Sequence, residues 1–157
     1  MMTLGKTAPA PAIGVRWSTE VATLWLLRLL TAAGLATDAY VHTDLASSYD
    51  SVQKSISQGE LFRIEAGASA LAAVLVLLLG RRPLVWLFAF LVAAAGVGAV
   101  VLYRYVDVGA LGPLPAMYEP VWYPEKTASF VAESVAAVTA LAGFGLSWHL
   151  ARARRHA

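Results

Sequence analysis

Leu77-Leu78-Leu79-Gly80-Arg81-Arg82-Pro83-Leu84-Val85-Trp86 decides the fold. An apolar run enters this stretch from about Gln58 and another leaves it to about Tyr105, and at 1.5 Å per helical residue each is long enough to cross a hydrocarbon layer of about 30 Å. Between them, glycine closes one helix, and proline, which lacks an amide proton, fits the first turn of the next. So short a link permits only reversal, so spans 58–79 and 83–105 are read as a helical hairpin.

Two further apolar segments flank the hairpin, one from about Thr19 to Ala46 and one from about Thr127 to Leu150. The whole chain of 157 residues is 59% apolar and only 14% charged, against about a quarter charged in soluble domains. The expected fold is therefore all-α, a single membrane domain built as a four-helix transmembrane bundle with the lipid bilayer as its solvent. Residues 1–18, with Lys6, Arg16 and an alternating Ala-Pro run, read as a polar tail, and the span that follows reads as an uncleaved first helix. Ser57 and Glu60 fit a capping box at the start of the second span. Residues 109–126 hold four of the seven prolines together with Tyr118, Trp122 and Tyr123. Such a composition favours a stiff, extended segment at the interface, and these three aromatic residues are candidate anchors of a lid folded over the bundle mouth.

Composition excludes several classes of function. There is no cysteine, which removes disulfides, thiolate metal sites and cysteine nucleophiles. The formal charge of +2 is small and scattered, so no nucleic-acid partner is expected. The basic residues follow topology instead. Lys6, Arg16, Arg81, Arg82, Arg152, Arg154 and Arg155 fall on one side of alternating spans, and only Lys54, Arg104 and Lys126 on the other. By the positive-inside rule both termini are cytoplasmic and the two longer loops external, as in a multi-pass protein of a bacterial plasma membrane.

Against this background Asp38-Ala-Tyr-Val-His42-Thr-Asp44 stands out, because ionisable groups within a span are costly and normally face a bundle interior or a water-filled cavity. Counting inward from the external helix ends places Asp38, Glu65 and Glu133 each about 9–12 Å deep, in one slab. His42 follows Asp38 by one helical turn. Asp38 shares a face with Gly34, Glu65 with Ala68, Ser69 and Ala72, and Glu133 with Ala136 and Ala140; small residues mark helix contacts in membranes, so all three acids are expected to point inward. Arg63 lies on the opposite face from Glu65 and should snorkel outward. Arg104 and His42 remain as the expected positive partners. Arg28 either extends its stem to the near interface or pairs inside the bundle.

Three readings of the cluster stay open. It is a structural network that fixes helix register, a polar pocket for a quinone headgroup or a proton relay, or a metal site using Asp38, His42, Glu65 and Glu133. The ordinary reading of Trp86, Phe88 and Phe90 is packing or lipid contact, and Gly96-Val-Gly98, with no preceding strand, is not a phosphate loop.

The combination of Arg28-Leu29 and Gly34 in the first span, Glu65 early in the second, and a small-residue helix ending at Gly80-Arg81-Arg82 resembles the DoxX-like family of small four-span bacterial membrane proteins. That resemblance implies a link to membrane oxidoreductase systems, including quinone-coupled ones, and singles out Arg28 and Glu65. The functional expectation is a small redox-associated or quinone-interacting subunit, working with an oxidoreductase partner or as a homo-oligomer. A structural or assembly subunit of a membrane complex, or a small transporter, are the alternatives, and whether the chain is itself an enzyme stays open.

Overall fold

The computed structural model describes residues 13–155, with side chains from Thr19 onward; the reading of the first twelve residues as a polar tail lies outside them. The described chain is all-helical: α1 (Ile13–Ala46), a single 3-10 turn at Ser47–Tyr49, α2 (Gln58–Leu79), α3 (Pro83–Tyr105) and α4 (Pro124–Ala153). All four helices are long and apolar enough to cross a membrane. Each packs against its neighbours around a ring, α1 on α2 and α4, and α3 on α2 and α4. This is a four-helix bundle with antiparallel neighbours.

Local chemistry sets the helix ends. The Ser57 hydroxyl accepts from the Glu60 amide at 3.0 Å, and the Glu60 carboxylate accepts from the Ser57 amide at 2.8 Å. This reciprocal box satisfies two free donors of α2, at a stabilisation of about 1 kcal/mol per cap. Arg82 is extended, at φ −96° and ψ 119°, as the residue before a proline must be. Proline also opens α4, where Pro124 follows an extended Tyr123.

Two boundaries differ from the hydropathy reading. The α1 backbone is already helical at Ile13, and α4 runs from Pro124 to Ala153, about three residues longer at each end than expected. Hydropathy reports the thickness of the apolar layer, whereas a helix continues into water for as long as its backbone bonds and its caps allow. At 34 and 30 residues, α1 and α4 are about 50 and 45 Å long, more than the roughly 30 Å of a hydrocarbon core.

The interior is lined by small side chains. Ala72, Ala89, Ala93, Ala136 and Ala140 surround Leu35, Val76 and Trp86, while Leu26, Leu29, Leu78, Leu84, Val138 and Leu141 point outward. That inversion is what a hydrocarbon solvent demands, since apolar burial gives no drive there and close backbone packing does. Trp86 is fully buried rather than facing lipid. Its indole N–H donates to the buried Gly80 carbonyl at 2.8 Å, and its ring occupies the space where a side chain at Gly143 of α4 would lie. One residue thus locks the hairpin turn and seats it against α4.

Trp86→Phe keeps a ring but leaves the Gly80 carbonyl unpaired, and should cost about 1–3 kcal/mol. Thermal unfolding in detergent measures this, and an unchanged midpoint would show that the turn does not depend on the bond.

Candidate functional site

The site is built on three helices. Asp38, on α1, is wholly buried and accepts from three donors. Ser69 of α2 donates to Oδ2 at 2.7 Å, Ser129 of α4 donates to Oδ1 at 2.6 Å, and His42 Nδ1, one turn along α1, lies 2.8 Å from Oδ1. Ser69 stands on the Glu65 face of α2, and Ser129 one turn before Glu133 on α4, which is why helical spacing delivers both hydroxyls to the same carboxylate.

Glu133 is equally buried but poorly served. Its carboxyl lies within hydrogen-bonding reach of Asp38, but its Oε1 has a contact of only 3.4 Å with the Ser129 hydroxyl, which already donates to Asp38, and its Oε2 has no partner. The carboxyl lies directly against Gly96 of α3, where a Cβ would collide with it. Gly98, by contrast, has open space. Glu65 Oε1 is likewise buried without a partner. Burying an unmatched acceptor costs about 1–3 kcal/mol, and more if it is charged. The network therefore accounts for Asp38 and leaves one oxygen each of Glu133 and Glu65 unmatched.

A cavity of about 310 Å³ opens beside this cluster, towards the end of the bundle that carries the two longer loops. Val41, Leu45, Leu61 and Val100 give it apolar walls; His42, Glu65, Tyr49, Tyr123, Lys126 and Ser129 give it polar ones. The His42 ring meets Phe62 edge-on at 5.0 Å. With Nδ1 held by Asp38, the Nε2 of a ring that lines the cavity has no protein partner among the described residues.

The segment between α3 and α4 folds back over this end. Its Glu119 amide donates to the Tyr103 carbonyl at 3.0 Å, and its Pro113 carbonyl accepts from Ser55 and Ile56 of the α1–α2 loop at 3.2 Å. Tyr123 and Tyr49 share a hydrogen bond of 3.0 Å between their hydroxyls. Burial, then that bond, push the Tyr123 phenol well above its ordinary range, so it keeps its proton. The buried Lys126 ammonium donates to the Glu119 and Val121 carbonyls, pinning the segment from below. On the rim, a two-pronged Arg63–Asp50 pair at 2.7 and 2.8 Å ties the α1–α2 loop to α2, and the Arg63 hydrogen bond holds the Asp50 carboxyl below its usual value.

Several placements correct the sequence reading. Arg104 forms no ion pair among the described residues; its guanidinium lies over the Tyr105 and Trp122 rings, at 5.0 and 5.9 Å. Cation–π attraction to neighbours at its own depth outweighs a reach into the bundle. Of the lid aromatics only Tyr123 lines the cavity, while Trp122 packs on Phe130 and Tyr118 is exposed; Met117 and Glu119 take the lining positions. The four-residue metal set reduces to three, since Asp38, His42 and Glu133 converge and Glu65 stands apart on the cavity wall. Arg28 sits at the opposite end, buried beside Gly80, its guanidinium over Trp25 at 4.7 Å. Lys126, Tyr49 and Ser129 were not singled out by the sequence. Only Ser129 carried a signal, its position one turn from Glu133.

Compared with known protein families, curated proteins and solved structures, the chain shows no match. Fold and site together define a multi-pass four-helix membrane protein with a buried acid–histidine cluster below a lidded cavity.

Gly96→Ala should force Glu133 out of place and cost about 1–3 kcal/mol by overpacking, whereas Gly98→Ala should be neutral or slightly stabilising through helix propensity. Equal thermal midpoints for the two variants would show that Gly96 does not make room for Glu133.

Proposed function

We propose that this protein is a small quinone-interacting subunit of a bacterial plasma-membrane oxidoreductase system, with both termini cytoplasmic and the cavity in the outer leaflet. The observation that carries the reading is the pairing of apolar walls with a free imidazole nitrogen and the Glu65 carboxyl, one of whose oxygens has no partner, around one cavity. Ligand sites are mostly apolar with a few convergent polar groups, and about 310 Å³ is at the small end of their range, suited to a single ring headgroup. The resemblance to the DoxX-like family points the same way, although of its two residues only Glu65 borders the cavity.

A quinone supplies reversible transfer of two electrons and two protons when bound. The chain's own residues would do the rest. Phe62, Leu61 and Val100 flank the ring, and His42 Nε2 and the Tyr123 hydroxyl offer hydrogen bonds to its oxygens. His42 and Glu65 accept the two protons released when a bound quinol gives two electrons to the partner oxidoreductase. Asp38 then stabilises the imidazolium through Nδ1, and the segment over the mouth excludes bulk water.

Protein extracted in mild detergent should carry about one quinone per chain by lipid extraction and mass spectrometry. Glu65→Gln and His42→Ala should each weaken binding of a short-chain quinone by about tenfold, the worth of one hydrogen bond to a charged group. Quinone-free protein that copurifies with large membrane partners and ignores added quinone would favour the assembly-subunit reading instead. Topology is tested separately, and the absence of native cysteine makes the test clean. A cysteine placed at the exposed Ser48 should react with a membrane-impermeant maleimide on intact cells; labelling only after lysis would reverse the orientation.

A further inference from the structure

We propose that Asp38, His42 and Glu133 form a site for a divalent first-row metal ion of the zinc or iron(II) class, embedded below the cavity between α1 and α4. One ligand atom from each residue lies within 4.8 Å of the other two. The 2.8 Å between His42 Nδ1 and Asp38 Oδ1 is close to the roughly 3 Å that separates adjacent ligands around an ion bound at about 2.0–2.2 Å. The arrangement that serves as a hydrogen bond without metal thus needs little movement to become two arms of a coordination sphere. The ion takes the place of the Nδ1 proton, which leaves to water.

Three independent features favour an ion over a self-contained network. Glu133 is wholly buried with Oε2 unpartnered, and that oxygen is a free lone-pair donor. No fixed cation reaches the second acid either. Among the described residues the ion pairs are His42–Asp38 and Arg63–Asp50, so His42 serves Asp38 while no arginine or lysine pairs with Glu133, and a divalent cation would hold both carboxyl groups. Finally, Ser69 and Ser129 already hold Asp38 at 2.7 and 2.6 Å, the kind of outer hydrogen bonding that orients ligating carboxylates. The donor set, one imidazole with two carboxylates, suits zinc, iron(II) or manganese better than magnesium or calcium, which prefer all-oxygen sites. The site rests on the buried cluster and not on any occupant of the cavity; with the ion on Nδ1, His42 Nε2 carries the proton and would donate to a cavity ligand, so proton acceptance by His42 belongs to the metal-free protein.

The test uses full-length protein without a polyhistidine tag, stripped with chelator and titrated with Co²⁺ as a spectroscopic probe. One Co²⁺ per chain should bind, with a visible-region spectrum, a raised thermal midpoint and competition by Zn²⁺. Glu133→Gln and Asp38→Asn should each lower Co²⁺ affinity tenfold or more, and His149→Ala, at an exposed position, should change nothing. If the cluster variants fail to fold, X-ray absorption on the Co²⁺-loaded wild type decides, since it must read one imidazole nitrogen with oxygen ligands. No saturable Co²⁺ binding, an all-oxygen shell, or binding retained in well-folded Glu133→Gln and Asp38→Asn would each overturn the proposal. Because apo protein can be assayed for quinone separately, failure here leaves the cavity reading standing, and the reverse holds.

Discussion

A carboxyl group sealed inside a membrane bundle is the constraint on which the rest depends. Asp38 has no exposed surface, and an aspartate near the middle of a membrane helix costs about 2.5–3.5 kcal/mol on insertion scales. The outlay is offset only if donors arrive from several directions, and here α1, α2 and α4 each provide one. Their convergence fixes the rotation of three helices at once. In a bundle whose interior is mostly alanine, few bulky side chains could specify that register by shape, so the hydrogen bonds carry it.

What the three donors leave undone gives the protein its chemical character. Asp38 is saturated, but Glu133 and Glu65 each keep an unmatched oxygen, and His42 keeps a free nitrogen on the cavity wall. A purely structural network would gain by replacing such groups with apolar ones of similar shape. Gly96 shows the accommodation in reverse, since α3 gives up a side chain there so that the Glu133 carboxyl can fit. The cavity lies on the same side as these unmatched atoms, beneath a segment held by backbone bonds at Pro113 and Glu119 and by the Tyr49–Tyr123 pair.

The hairpin was legible to the residue. Gln58, Leu79 and Pro83 bound α2 and open α3 where capping box, glycine and proline are strong local signals. The inward facing of Asp38, Glu65 and Glu133 was also readable, since small neighbours on the same helical face report packing. Arg104 was misread because a long side chain at a helix end has many rotamers, and depth alone does not say which it takes; Trp122, brought near by the loop, decides it. For the same reason Lys126 and Tyr49 were invisible as cavity residues. Their roles depend on the path of the α3–α4 segment, which no periodicity encodes.

The spacing of the Asp38 donors along the chain has a consequence for biogenesis. Ser69 is 31 residues away and Ser129 is 91 residues away, while the Trp86–Gly80 bond spans only six. During synthesis the α2–α3 turn can close as soon as it emerges, with almost no chain entropy to lose. Asp38, by contrast, must wait in the membrane with one hydroxyl supplied and the other not yet translated. Until α4 emerges, the nascent chain holds Asp38 with its Ser129 donor missing. A truncation after α3 would leave the acid with its α1 and α2 donors alone.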